Sequence, residues 1–308
     1  MSGQSPDPPA IDPPAFTSQG PYGWWSQVRP IPGWLSLTEA ALLRLAGEVT
    51  AAVAADLLEI GAFHGQGAAT LAFELAGDQQ VWVVDPFGIP GGSRAVRDEQ
   101  ELWYRDLSRA DFESSFGRVH ERPAKVIEAL STDLAPEDLD GKPYRVIHVD
   151  GAHDYDSVCH DIDLSLAVLA DGGIVVFDDI ANTHSPGVAA AVWAAVDRGQ
   201  LAPLMLTNKL QSCRPGDHQA LRSRLLEALS SRGWNAGIER PLRIAGFDVI
   251  RDPRPPAEID AVDHPVPDRR AGLRAWRGWV PPVALSTARR VRDRARTRGA
   301  RNPNQAGG

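Results

Sequence analysis

A chain of 308 residues with 43% apolar side chains is long enough for one large α/β domain with extensions. Its formal charge of −8 argues against nucleic acid as a partner, and two cysteines, Cys159 and Cys213, supply neither a disulfide framework nor a metal cage. No run of 18 apolar residues spans a membrane and no secretory signal precedes the body, so the expected setting is the reducing cytoplasm.

In chain order, residues 1–20 are rich in Pro, Ser and Asp and read as a disordered leader. From Tyr22 to Leu35 the chain is aromatic and turn-rich, an irregular cover that offers a surface for a homo-oligomer. Trp24, Trp25 and Trp34, with Trp103 further on, either wall a pocket or pack. Ser36 or Thr38 caps a helix over Glu39–Val49. Strands are expected at Asp56–Ile60, Gln80–Val84, Gly117–His120, Tyr144–Val149, Gly173–Phe177, Leu204–Thr207 and Ile244–Ile250. Helical segments at Ala68–Leu75, Asp98–Phe112, Ala124–Leu130, Tyr155–Leu169 and Gly187–Asp197 separate most of them. Short apolar runs alternating with helices argue for a Rossmann-like, doubly wound and mostly parallel sheet covered on both faces. A further helix, Asp217–Ser231, falls between Asn208 and Arg243, before the last strand. Past Ile250 the pattern stops. Residues 251–308 hold 13 Arg against 6 Asp and Glu and read as a Pro/Arg-rich extension, which leaves 21–250 as the folded domain.

Leu57-Leu58-Glu59-Ile60 runs directly into Gly61-Ala62-Phe63-His64-Gly65-Gln66-Gly67 and then a helix. Strand, glycine loop and helix in that order form the first crossover of such a sheet, where the backbone can approach a nucleotide-like ligand closely. The spacing is Gly-x3-Gly-x-Gly, not the Gly-x-Gly-x2-Gly that cradles a pyrophosphate. An adenosine without phosphates suits it, which points to S-adenosylmethionine ahead of a nicotinamide cofactor. Asp85, closing the second strand before Pro86, can accept bonds from ribose hydroxyls or simply form a turn. Glu59, Gly61, Ala62, Phe63, Gly65, Asp85, Pro86 and Asp150 make up the expected cofactor lining.

Two further strand ends are acidic: Asp150 in His148-Val149-Asp150-Gly151-Ala152-His153-Asp154-Tyr155, and Asp178-Asp179 after Gly173–Phe177. One helix-length crossover separates them, so Asp150, Asp178 and Asp179 are expected to converge. Crowded carboxylates repel unless a cation neutralises them, and hard oxygen donors suit Mg²⁺ or Mn²⁺. An unperturbed imidazole titrates near working pH, so His153 is the candidate base, with Asp150 as the alternative. His64 lines the pocket or is an ordinary loop residue. His148 reads as structural, and Asp161 and Asp163 as solvated or capping positions on their helix.

Glu59-x-Gly61-x3-Gly65, Asp85, Asp150-Gly151-x-His153-x-Tyr155 and Gly172-Gly173…Asp178-Asp179 resemble class I S-adenosylmethionine-dependent methyltransferases. Within that class they are most similar to the bacterial macrocin- and mycinamicin-type sugar O-methyltransferases. The similarity runs from about Gly33 to Ile250. It implies a seven-stranded sheet with an antiparallel last strand and cofactor binding by the glycine loop and Asp85. It also implies Mg²⁺ on Asp150, Asp178 and Asp179, with His153 as base. The acceptor it implies is a small molecule, a hydroxyl of a sugar or glycosylated natural product. Two alternatives are a metal-free small-molecule methyltransferase and a nucleic-acid-associated one using the Arg-rich tail. Arg122-Pro123-Ala124 lacks the small polar residue expected beside the adenine, so the adenine contacts stay unassigned.

Overall fold

The computed structural model describes residues 21–104, 106–235 and 242–263, with the side chains of residues 95, 99, 102, 103 and 261 left aside. The leader, the Arg-rich tail and the side chain of Trp103 therefore lie outside the described residues.

The chain runs α1 (Trp25–Val28), α2 (Leu37–Val49), β1 (Asp56–Ile60), α3 (Gln66–Ala72), β2 (Val81–Val84), α4 (Arg94–Glu99), α5 (Arg109–Gly117), β3 (Lys125–Ile127), β4 (Tyr144–Val149), α6 (Tyr155–Val168), β5 (Leu169–Phe177), α7 (Pro186–Asp197), β6 (Ala202–Leu206), β7 (Leu210–Cys213), α8 (His218–Ser231), β8 (Leu242–Ile244), β9 (Phe247–Arg251) and α9 (Ala257–Asp263). Among the described residues, nine strands form one sheet in the order β3-β2-β1-β4-β5-β7-β6-β9-β8. The sheet is parallel from β3 through β5, β7 runs antiparallel between β5 and β6, and β8 and β9 close the far edge as an antiparallel hairpin.

Side chains alternate faces along each strand. Leu57, Val81, Val83, Val146, Ile174 and Val176 join one apolar layer with α2, α3, α5 and α8. Leu58, Trp82, Val84, Ile147, Val175 and Phe177 join the other with α6 and α7. Ser36 caps α2: its Oγ accepts from Glu39 N while the Glu39 carboxylate accepts from Ser36 N, a reciprocal box that satisfies two free N–H groups.

Several expectations shift. Gly117–His120 is the end of α5 and a turn, and the third strand is instead Lys125–Ile127, inside the stretch expected to be helical at Ala124–Leu130. A three-residue edge strand carries too little pattern to distinguish from a helix turn. The residues following that strand are therefore Glu128 and Ala129, and Arg122 instead binds the carbonyls of Gln79 and Gly77. Asp98–Phe112 splits into α4, a π-turn at Gln100–Tyr104 and α5, which Ser108 starts with a second reciprocal capping box. The antiparallel strand of the seven-strand pattern is Leu210–Cys213. Ile244–Ile250 divides at Ala245-Gly246 into the hairpin, whose β9 runs parallel to β6. Beyond 250 the described chain continues in the same compact unit to Asp263, whose carboxylate accepts from Leu37 N and Thr38 N, each at 2.8 Å.

Candidate active site

The carboxyl ends of β1, β4 and β5 are laced together by backbone bonds: Gly61 N to Val84 O (2.8 Å), Asp150 N to Ile60 O (2.7 Å) and Asp178 N to Val149 O (2.9 Å). Gly61 has φ +82°, and a Cβ there would collide with the Asp150 carbonyl and the Gly151 Cα. The glycine loop and the Asp150 loop are thus in direct contact, which only a residue without a side chain permits.

Asp85 clamps that loop. Its Oδ2 accepts from Ala62 N (2.7 Å) and Phe63 N (3.0 Å), and its Oδ1 from Phe87 N (2.7 Å). Burial raises its pKa, and these three N–H bonds partly oppose the rise. Phe63 sits at φ +50°, a conformation that costs a side-chain-bearing residue about 1 kcal/mol or more. The Asp85 bond and a stack with Trp34 (centroids 4.8 Å, 23° between planes) hold it there. Tyr104 and His64 meet Phe63 edge-on, and burial lowers the His64 pKa. Trp34 is 62% exposed, whereas Trp25 is buried and Trp24 packs under the Arg44 guanidinium. Gly65 starts α3, and Pro86 follows Asp85 half-buried.

Beneath the loop, Glu59 and His148 lie side by side on β1 and β4 and are both buried, with Glu59 Oε1 2.8 Å from His148 Nδ1. Burial raises the Glu59 pKa, and His148 opposes it. A Cβ on Gly67 would strike the Glu59 carboxylate, so this glycine serves the polar pair as much as any ligand. His148 Nε2 lies 3.9 Å from Asp178 Oδ2. That same oxygen accepts from the Lys209 ammonium, which is 7% exposed and whose pKa the carboxylates of Asp178 and Asp150 raise against the opposing effect of burial. A row of ionisable groups therefore runs across four neighbouring strands and their ends: Glu59, His148, Asp178, Lys209.

The second acidic constellation is more open. His153 Nε2 lies 3.0 Å from Asp179 Oδ2, and the Asn182 amide donates to Asp179 Oδ1. Asp179 has φ +57°, and its N–H bonds the preceding Asp178 Oδ1 at 2.7 Å. His184 flanks the group, its ring 6.2 Å from that of His153. Asp150 stands between the two sets. Its ligand atoms come within 4.8 Å of His148 and Asp178 on one side, and of His153 and Asp179 on the other. Though its side chain opens to the surface, surrounding protein withdraws water from the carboxyl, and Asp178 and Asp179 add repulsion. Its pKa is raised well above the ordinary carboxylate value.

Asp150, Asp178 and Asp179 thus converge as the strand ends implied. Sequence reasoning passed over Lys209 and treated His148 as structural. The one signal for Lys209 was Thr207-Asn208-Lys209, a tight turn in which Thr207 N binds Lys209 O at 2.8 Å. Asp161 departs from its expected solvated or capping position: it is wholly buried, with Ser131 beside its carboxyl, whereas Asp163 is exposed. Tyr155 starts α6 and is 43% exposed.

Residues 58–180 match a family described as a methyltransferase domain. No curated protein matches the chain. Among solved structures, the O-methyltransferase NovP is 19% identical across 58% of this chain and 80% of its own, with a TM-score of 0.49. The calicheamicin methyltransferase CalS11 is 16% identical across 69% of this chain and 100% of its own, at 0.46. An O-methyltransferase from Bacillus cereus in complex with SAH is 14% identical across 62% and 90%, at 0.43. The domain match and the sheet, parallel from β3 through β5 with β7 and β8 running against it, agree: the chain carries a methyltransferase domain over residues 58–180.

Proposed function

We propose that this enzyme methylates a hydroxyl oxygen of a small molecule, a sugar or a glycosylated natural product, with His153 as the proton acceptor. The observation that carries the reading is the contact between the cofactor-type glycine loop at Gly61 and the loop bearing Asp150 and the His153–Asp179 pair. The glycine loop, Ala62, Phe63, Glu59, Asp85 and Pro86 are the residues proposed to hold or shape the cofactor site. The stiff loop, pinned by Asp85, fits a ligand seated against backbone. When bound, the cofactor supplies an electrophilic sulfonium methyl.

The acceptor hydroxyl attacks that methyl carbon as the carbon–sulfur bond breaks, and its proton passes to His153. Asp179 lies against His153 Nε2, which orients the ring toward the acceptor hydroxyl. Alignment of the hydroxyl with the methyl supplies much of the acceleration in such a displacement. Trp34, exposed over Phe63, offers a flat face to a sugar or aglycone.

The Mg²⁺ implied by the sequence resemblance fits these residues poorly. Among the described residues, each cluster that gathers three ligand atoms within 4.8 Å contains a histidine, and Asp178 is already bonded to an ammonium. Mg²⁺ prefers an octahedron of oxygens. No step is therefore routed through a metal.

Assay of methyl transfer to a panel of nucleoside-diphosphate sugars and glycosides tests the reading. Product labelled on oxygen supports it, and labelling only on nitrogen, carbon or sulfur acceptors ends it.

A further inference from the structure

We propose that Lys209 is the resident cation of this site and that the enzyme works without a divalent metal. The claim rests on the methyl-transfer reading only for its activity arm. β7 runs antiparallel between β5 and β6, so the turn that begins it delivers Lys209 to the carboxyl end of β5. A side chain 7% exposed keeps a charged ammonium only when paired. Its partner is Asp178 Oδ2, one of the oxygens a divalent ion would need.

The remaining carboxylate oxygens point the same way. Asp178 Oδ1 accepts from Asp179 N, Asp179 Oδ1 from Asn182, and Asp179 Oδ2 lies against His153 Nε2. Four of the six oxygens in the acidic trio are thus engaged by groups of this chain. A dication would have to displace the ammonium from Asp178 and then remain within a few ångströms of it. Lys209 already answers the repulsion between Asp150 and Asp178. It acts through Asp178 as a positioning residue, keeping the Asp178–Asp179 turn in the conformation that holds Asp179 to His153.

Mn²⁺ binding followed by electron paramagnetic resonance on the full chain tests this, beside turnover before and after EDTA. Wild type is expected to take up no stoichiometric Mn²⁺ and to change turnover by less than about twofold after chelation. Lys209→Met, folded by circular dichroism, is expected to gain one Mn²⁺ per chain. It should lose turnover about tenfold or more, with partial recovery on adding Mn²⁺, and Lys209→Arg should retain turnover without metal. One Mn²⁺ per wild-type chain that Asp178→Asn removes would overturn the proposal. So would turnover that EDTA abolishes and Mg²⁺ restores, or a folded Lys209→Met that gains no Mn²⁺. Should Lys209→Met not fold, the wild-type arms decide. Should no hydroxyl acceptor be methylated, the proposed function fails while Mn²⁺ binding still settles the cation.

Discussion

At the residue scale the roles divide by what each side chain touches. His153 touches Asp179 and faces the proposed reaction space, so His153→Ala is expected to lower kcat about 100-fold or more while cofactor affinity holds. Equilibrium dialysis with S-adenosylmethionine beside single-turnover rates checks both halves; an unchanged rate removes His153 from the chemistry. Trp34 stacks on Phe63 with its outer face exposed. Trp34→Ala is expected to raise the acceptor KM about 3- to 10-fold with little change in kcat, the loss of one stacking face. A fall in kcat alone would move Trp34 out of the acceptor site. Both residues were named from the sequence, one by its loop and the other by its company of aromatics. Lys209 was not, because a lysine after Thr-Asn reads as a solvated turn until the strand beside it is known.

The elements show why the glycine loop behaves as a unit. β1 and β2 end level with each other, and Asp85 reaches across to bind two loop amides that have no strand partner. Charge-assisted bonds to backbone N–H contribute on the order of 1.5–3 kcal/mol each. Asp85→Ala is therefore expected to speed hydrogen exchange at Ala62 and Phe63 and to weaken cofactor binding about tenfold or more. Exchange and affinity both equal to wild type would show that the clamp is dispensable. The alternation of strands and helices was legible in the chain because apolar runs and capping serines are local signals. Three features were not. Lys125–Ile127 is too short to show a period, Leu210–Cys213 lacks β-branched residues, and the Ala245-Gly246 turn hides inside a continuous run. Sequence neighbours decide none of these; pairing with strands already in place does.

For the molecule as a whole, the parallel sheet carries ionisable groups into its interior. Asp161, buried on α6 near Ser131, His160 and Asp154, has its pKa raised to about 6 from 3.8 by burial. A raised folded-state pKa means that folding favours the protonated acid. Its stabilising effect is complete below pH 3.8 and is lost as pH rises through 6. Asp161→Asn is expected to be more stable than wild type at pH 8 by up to about 3 kcal/mol, with the difference vanishing near pH 4. Urea melts at the two pH values measure it, and equal gains at both would show that ionisation is not the cause.

What the amino-acid order alone determined is the class of the fold and the places where chemistry collects. Period-two and helical patterning are local, and acidic residues at strand ends announce themselves. Tertiary structure decided which charges meet. Successive members of the row Glu59, His148, Asp178 and Lys209 are 30 to 89 residues apart in the chain and become neighbours only through strand order. In particular, the antiparallel insertion of β7 between β5 and β6 places an ammonium on Asp178, one of the carboxylates the sequence resemblance assigned to a metal ion. Long-range pairing depends on which strand edges the rest of the sheet leaves open, and no window of sequence contains that information.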